Sequence, residues 1–392
     1  MADTQSENKR FESIRPLMDC EVTEAVNYLA SLPVLEDTFN NLHSGYPWEL
    51  LVAKAKECHT VEEFKLRISF FLVMRIAENT AFSLSLSGKS KLNSNTPYTF
   101  ISNHRDIILD SAFLNVLAAD AGLKIPQVAI GDNLLLDEWV KILVKLNNSF
   151  IVKRNLKGRD TLFAAKELSE YMHENIVQGN SQWIAQREGR AKDANDTTQL
   201  SLLKMLAMGG ASSDFIESIK ELNIVPLTCS YEYDPCDYLK VREMQYKRDN
   251  ENYKKTPQED ALNMKSGVMG YKGRVHLTLS RPLNEIIDRI SPKLPKQNQA
   301  EELAKLLDKE IHSNYRLYPG NYVALDLLNK TELYASHYSE EEKQFFIDYI
   351  IGQVAKIEVE EGYTKDIPFL YHKMLQMYAN PAINKLRTGK AE

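Results

Sequence analysis

Asn103-His104-Arg105-Asp106, with a further carboxylate at Asp110, is the segment whose residue types best suit proton-transfer chemistry. It follows Tyr98-Thr99-Phe100-Ile101-Ser102, a short run with strand character, so the histidine is expected where a strand gives way to a loop. A carboxylate that accepts a hydrogen bond from Nδ1 leaves Nε2 able to take a proton from a hydroxyl, which turns that hydroxyl into a nucleophile. Asp106 and Asp110 are both candidates for this partner. A plainer reading is a helix start, with Asn103 as the cap and the two aspartates answering the helix dipole.

Three other segments carry chemistry. Residues 141–166 hold Lys141, Lys145, Lys153, Arg154, Lys157, Arg159 and Lys166 against the single acid Asp160, a local charge of +6 in a chain of net charge −6. The basic pair Lys153-Arg154 comes right after the apolar run Phe150-Ile151-Val152, a position at a strand end where it would meet a phosphate-bearing ligand; the alternative is a solvated helix face. Gln182-Trp183-Ile184-Ala185 leads into Gln186-Arg187-Glu188-Gly189-Arg190. There a strand would deliver an acid for hydroxyl groups (Glu188) and a guanidinium for phosphate (Arg190), with Gly189 permitting a tight turn. Ile224-Val225-Pro226-Leu227 starts another strand, and Pro226 belongs at the first residues of a strand or on an edge.

The elements that must position these residues follow from periodicity. Residues 10–80 read as helical, with Phe11, Ile14, Leu17 and Met18 and later Phe64, Phe71 and Met74 recurring at helical spacing. Beyond Phe82, strands expected at 98–102, 125–130, 149–152, 182–186, 224–231 and 274–279 alternate with helices near 108–122, 134–147, 160–177 and 213–222. After Ser291-Pro292-Lys293-Leu294-Pro295 two amphipathic helices are expected, one carrying Leu303, Leu306, Leu307 and Ile311, the other Phe346, Tyr349, Ile350 and Ile357. The expected fold class is α/β: a central mixed sheet flanked by helices. An N-terminal helical lobe spans 1–84, the catalytic domain 85–290, and a C-terminal helical segment 291–392 packs on it.

Composition narrows the function. The 392 residues are 43% hydrophobic and 26% charged, enough for a substantial core. A net charge of −6 argues against broad nucleic-acid binding, so no nucleic-acid partner is expected. Cys20, Cys58, Cys229 and Cys236 form no Cys-x-x-Cys pair, which speaks against a zinc site or disulfide framework and fits a reducing cytosol. Met1–Glu7 lacks the features of a signal peptide. The apolar run 68–74 is far short of the roughly 20 residues of a spanning helix. Gly88-Lys89-Ser90 ends like a phosphate-binding P-loop but has Ser83 where the first glycine is required. There is neither a Gly-x-Ser-x-Gly nor a Gly-x-Gly-x-x-Gly segment, which weakens the serine-hydrolase and dinucleotide readings.

Taken in order, the four segments resemble the motif blocks of the glycerolipid acyltransferase superfamily, which includes glycerol-3-phosphate and lysophosphatidate acyltransferases. Asn103 to Asp110 is similar to its His/Asp block and Phe150-Ile151-Val152-Lys153-Arg154 to its second block. Arg187-Glu188-Gly189-Arg190 is similar to its Glu-Gly-(Gly/Thr)-Arg block, and Ile224-Val225-Pro226-Leu227 to its proline block. The resemblance covers residues 85–235 and lies nearer the glycerol-3-phosphate branch. Two departures stand out. Five residues separate His104 from Asp110 where the family has four, so that Leu109 is in register, and the third block has one glycine. The extra residue requires a bulge or a shifted helix start if Asp110 is to reach the ring.

The resemblance implies direct acyl transfer from acyl-CoA or acyl carrier protein to a hydroxyl of a glycerol phosphate, without a cofactor or metal. His104 would be the base, oriented by Asp110 or Asp106. Arg105, Arg154 and Arg190, helped by Lys153, would hold the acceptor phosphate and Glu188 its hydroxyls. The expected location is cytoplasmic, with peripheral contact on the inner face of the membrane through the helical lobe, the C-terminal helices or a basic patch. Two alternatives stay open: an acceptor without phosphate, such as an amino-acid lipid, and a degenerate member that binds lipid or carrier protein without turnover.

Overall fold

The computed structural model describes residues 10–42, 45–135 and 137–389; the N-terminal segment Met1–Glu7 lies outside them. Three short helices, α1 (Asp19–Ala30), α2 (Pro33–Leu42) and α3 (Trp48–Lys56), precede a longer helical run made of α4 (Val61–Phe64), a π-helical turn (Lys65–Ser69) and α5 (Phe70–Thr80). Val22, Val26, Leu29, Phe39, Leu51, Phe64 and Ile68 close a small core of their own, with Leu146 from the following domain. Phe11 and Ile14, expected in that lobe, instead pack against Phe150 and Tyr171 in the core beneath the sheet.

The sheet has seven strands: β1 (Ala81–Ser87), β2 (Thr99–Ser102), β3 (Gln127–Gly131), β4 (Ser149–Val152), β5 (Gln182–Ala185), β6 (Ile224–Tyr231) and β7 (Gly273–Leu279). Their order is β1-β7-β6-β2-β5-β3-β4. All neighbours are parallel except β6 and β7, which makes the sheet mixed. The connecting helices are α6 (Leu109–Asp120), α7 (Glu138–Leu146), α8 (Arg159–Val177), α9 (Leu200–Leu206), α10 (Phe215–Glu221), α11 (Asp237–Asp249) and α12 (Pro257–Met269). One core joins Phe150, Met172, Ile184 and Ile224 to Leu303 and Leu307, and the other joins Phe100, Val225 and Leu277 to Phe113 and Leu114. The α/β class read from the sequence is therefore the observed one, with the addition of β1, whose start at Ala81 brings the sheet into the segment expected to be purely helical.

Four helices rather than two follow β7: α13 (Lys296–Ser313), α14 (Pro319–Asn329), α15 (Glu340–Ala355) and α16 (Ile367–Arg387). Leu303, Leu307 and Ile311 of α13 belong to the core beneath the sheet. The last three helices close a separate cluster with Val241 of α11.

Pro226 sits on an interior strand, since β6 lies between β7 and β2. Its carbonyl accepts from Ser280 N at 2.9 Å, just past the end of β7, so the absent N–H forfeits only the last ladder bond on that side. Of the two placements expected from sequence, the first residues of a strand rather than an edge is the one observed, Pro226 being third in β6.

Candidate active site

The strands β2, β5, β3 and β4 run parallel, so the segments that follow them all emerge at one edge of the sheet. Ligands of open α/β sheets collect at the carboxyl ends of strands for this reason. Here the edge opens into a groove of about 720 Å³ lined by His104, Lys153, Arg154, Glu188, Gly189 and Arg190 among others.

His104 ends the β2 segment with its side chain 13% exposed, and its Nδ1 lies 2.9 Å from Asp110 Oδ2. That carboxylate is fully buried, and the same oxygen accepts from the backbone N–H groups of Arg105 at 2.6 Å and Asp106 at 3.1 Å. Trp183 stands edge-on to the imidazole at 5.8 Å, its indole N–H held by Ser102 Oγ. Among the described residues no protein group engages Nε2. With Nδ1 donating to Asp110, Nε2 is the basic atom that faces the groove.

Asp106, the rival partner, has a different place. Its Oδ1 accepts from Ile108 N at 2.9 Å and Leu109 N at 2.8 Å, capping the turn that enters α6. Because α6 begins at Leu109, Asp110 falls in its first turn and reaches back to the ring, which is how the chain accommodates the extra residue. Burial, then repulsion by Asp110, raises the Asp106 carboxyl above its ordinary range. Asn103, read as a helix cap, instead holds the backbone of β6: Oδ1 accepts from Cys229 N at 2.8 Å and Nδ2 donates to Cys229 O at 2.9 Å.

Arg105 is not in the groove. Its guanidinium turns inward to the fully buried Asp196 and lies 3.1 Å from Tyr315 Oη, while Tyr315 and Asn103 also donate to Asp196. Burial opposes the Arg105 charge, but Asp196 outweighs it and raises the pKa. A buried guanidinium needs such a partner, and this one is occupied in holding the loop rather than a ligand. The Arg105 carbonyl accepts from Lys240 Nζ at 2.9 Å, and Lys240, itself buried, pairs with Asp234.

The basic stretch divides. Lys153 and Arg154 reach the groove, whereas Lys141 and Lys166 pair with Glu138 and Glu170, and Lys145 donates to the Glu12 carbonyl. Lys153 bonds Glu167 at 2.8 Å, and Arg154 meets Glu188 at 3.1 Å. Among the described residues Arg190 bonds only the neutral Asn263, at 3.0 Å, and its buried Nη1 has no partner. Gly189 has φ +68°, a left-handed conformation that suits glycine at the turn joining Glu188 to Arg190. Pro226 is buried in the sheet and does not line the groove.

Sequence reasoning missed Arg187, Lys192 and Lys255, which join Arg190 in the groove wall. Lys192 pairs with Glu243, but that carboxylate also serves Lys247 at 3.0 Å. Burial, then repulsion from Lys247, pulls the Lys192 ammonium down to about 6. The apolar part of the wall comes from Val128, Ile130, Val152, Leu168, Trp183 and Met205. A base, a cationic wall and an apolar wall thus share one cavity. The described residues contain no cluster of three or more His, Cys, Asp or Glu side chains fit for a metal, and all four cysteines are free.

No protein-family model and no curated protein matches the chain. Among solved structures it is similar to the 1-acyl-sn-glycerophosphate (LPA) acyltransferase PlsC from Thermotoga maritima. The identity is 11%, the TM-score 0.33, and the match covers 75% of this chain and 96% of that chain. A likeness this remote carries no argument about chemistry, which rests on the residues themselves.

Proposed function

We propose that the chain is an O-acyltransferase that moves a fatty acyl group from the thioester of acyl-CoA or acyl carrier protein to a hydroxyl of glycerol 3-phosphate or a 1-acylglycerol 3-phosphate. The observation that carries this reading is the 2.9 Å contact between His104 Nδ1 and Asp110 Oδ2, with the other ring nitrogen facing a groove that is cationic on one wall and apolar on another. A paired imidazole suits removal of a proton from an alcohol, the cations suit a phosphate, and the apolar wall suits an acyl chain.

In the proposed step His104 Nε2 takes the hydroxyl proton as the acceptor oxygen attacks the thioester carbonyl carbon. A C–O bond forms, the C–S bond breaks, and the departing thiolate recovers the proton from the imidazolium. Asp110 keeps the ring oriented and stabilises its positive form. Arg190, with an unpartnered buried Nη1, is the first candidate for the acceptor phosphate; Arg154 and Lys153 would follow by exchanging their present carboxylate partners. Glu188, largely exposed, would receive acceptor hydroxyls. No cofactor enters this step.

The test is product identification by mass spectrometry. A palmitoyl thioester is offered with glycerol 3-phosphate, lysophosphatidate, dihydroxyacetone phosphate or a phosphate-free lipid amino acid. Acylated product from a phosphate-bearing glycerol acceptor supports the reading. Product from the phosphate-free acceptor alone assigns a different substrate, and binding without thiol release assigns a non-catalytic lipid or carrier binder.

A further inference from the structure

The start of α8 is a wall one helix thick. Thr161, Ala164, Ala165 and Leu168 line the groove, and at about 3.6 residues per turn Arg159, Leu162, Phe163 and Lys166 fall on the opposite side. That outer side is open: Phe163 is 68% exposed and Leu162 60%, while Leu156 in the preceding loop, 39% exposed, lines the groove. Large apolar side chains this exposed and this closely spaced along the chain are unusual for a surface with no partner. Lys157 and Arg159, both exposed, are interleaved with them and have no ion-pair partner among the described residues. Asp160 is also exposed here. Lys166 contacts Glu170, while Glu170 and Glu167 are further engaged by Arg10 and Lys153.

We propose that this outer face, Lys157, Arg159, Leu162, Phe163 and Lys166, docks on an anionic membrane surface and holds the groove at the bilayer. Leu162 and Phe163 would enter the interfacial layer, while Lys157 and Arg159 keep their charged ends among lipid headgroups and lay their stems along the apolar residues. The charge logic favours lipid. The chain as a whole is acidic, at −6, so attraction to an anionic surface must come from a local patch, and this segment supplies unpaired cations beside exposed hydrophobic groups. Residues lining the groove and residues on the outer face lie on the same two turns of α8. Docking through them therefore brings the cavity to the source of an insoluble lipid. This extends the acyl-transfer reading by naming the partner surface, but does not depend on turnover.

The test is flotation of the full chain with vesicles of phosphatidylcholine alone and of phosphatidylcholine mixed with phosphatidylglycerol. The double variants Leu162→Ser/Phe163→Ser and Lys157→Glu/Arg159→Glu are compared with wild type. The expected result is flotation of wild type with the anionic vesicles, weakened by added salt, and at least tenfold weaker partitioning of each variant. Turnover of a water-soluble short-chain thioester, expected to be unchanged in both variants, separates loss of docking from loss of the catalytic site. Wild type that stays unbound, variants that float as well as wild type, or a patch needed for an acidic carrier protein but not for vesicles would each overturn the proposal.

Discussion

Asp106 and Asp110 are four residues apart, both buried, and placed for different work. Asp110 touches the imidazole and Asp106 caps the turn into α6. Replacing Asp110 by Asn is expected to lower the transfer rate about 10²-fold or more, because general-base catalysis is worth about 10²–10⁴ and depends on the ring's orientation. Asp106→Ala should lose about 1 kcal/mol of stability, the usual value of a cap, with the rate within a few-fold of wild type. Steady-state rates beside thermal melts separate the two, and equal rate losses would return Asp106 to the chemistry. Lys192 yields another expectation. Since its ammonium sits at about 6 in the free protein, a phosphate bound beside it would raise that value, so acceptor binding near neutral pH should take up a proton. Calorimetry in buffers of different ionisation heat measures this, and a binding enthalpy independent of buffer would contradict it. At this scale the sequence was legible where partners lie close along the chain, as with the contact of His104 and Asp110. It misled for Arg105, whose partners Asp196 and Tyr315 lie 91 and 210 positions away. Nothing in the local pattern distinguishes a guanidinium aimed at a ligand from one that turns inward.

Among the elements, strands β2 to β7 were readable to within a residue or two because each is a short apolar run between turn signals. The first strand, Ala81-Phe82-Ser83-Leu84-Ser85-Leu86-Ser87, alternates at period two, but its serines beside Gly88-Lys89-Ser90 read as loop. The helices α11 and α12 escaped for a different reason. Their buried positions include Asp237, Lys240, Glu243 and Gln245 on α11 and Glu259, Asn263 and Gly267 on α12, so no apolar stripe announces them. Both bear on the site. A Cβ placed on Gly267 would stand 2.1 Å from Asp106 Oδ2. Gly267→Ala is therefore expected to displace the capping carboxylate at about 1–3 kcal/mol of stability, lowering the melting temperature while the transfer rate, as in Asp106→Ala, stays within a few-fold of wild type. A melting temperature that matches wild type would show that α12 does not press on the loop that Asp106 caps.

Across the whole molecule, the C-terminal helices reach the site through a buried polar chain. Asp237 Oδ2 accepts from Tyr349 Oη at 2.7 Å on α15 and Tyr378 Oη at 2.8 Å on α16. Tyr378 Oη accepts from Asp234 N, and Asp234 pairs with the Lys240 that holds the Arg105 carbonyl. Burial raises the Asp237 carboxyl from 3.8 to about 7, opposed in part by its tyrosine hydrogen bonds. The native state therefore binds a proton that the unfolded chain releases. The stability this group contributes is fully present below about pH 4 and is lost as pH rises through about 7, on the order of a few kcal/mol. Melting temperatures of wild type should fall across that window more steeply than those of Asp237→Asn, and parallel profiles would contradict the assignment. No described helix is long and apolar enough to cross a membrane. The central claim, that His104 is the base of an acyl transfer, is tested most directly by thiol release from a palmitoyl thioester with and without glycerol 3-phosphate, in wild type and His104→Ala. The expected result is acceptor-dependent release by wild type and none above background from a folded His104→Ala. Release that ignores the acceptor, or that survives loss of the imidazole, would contradict it.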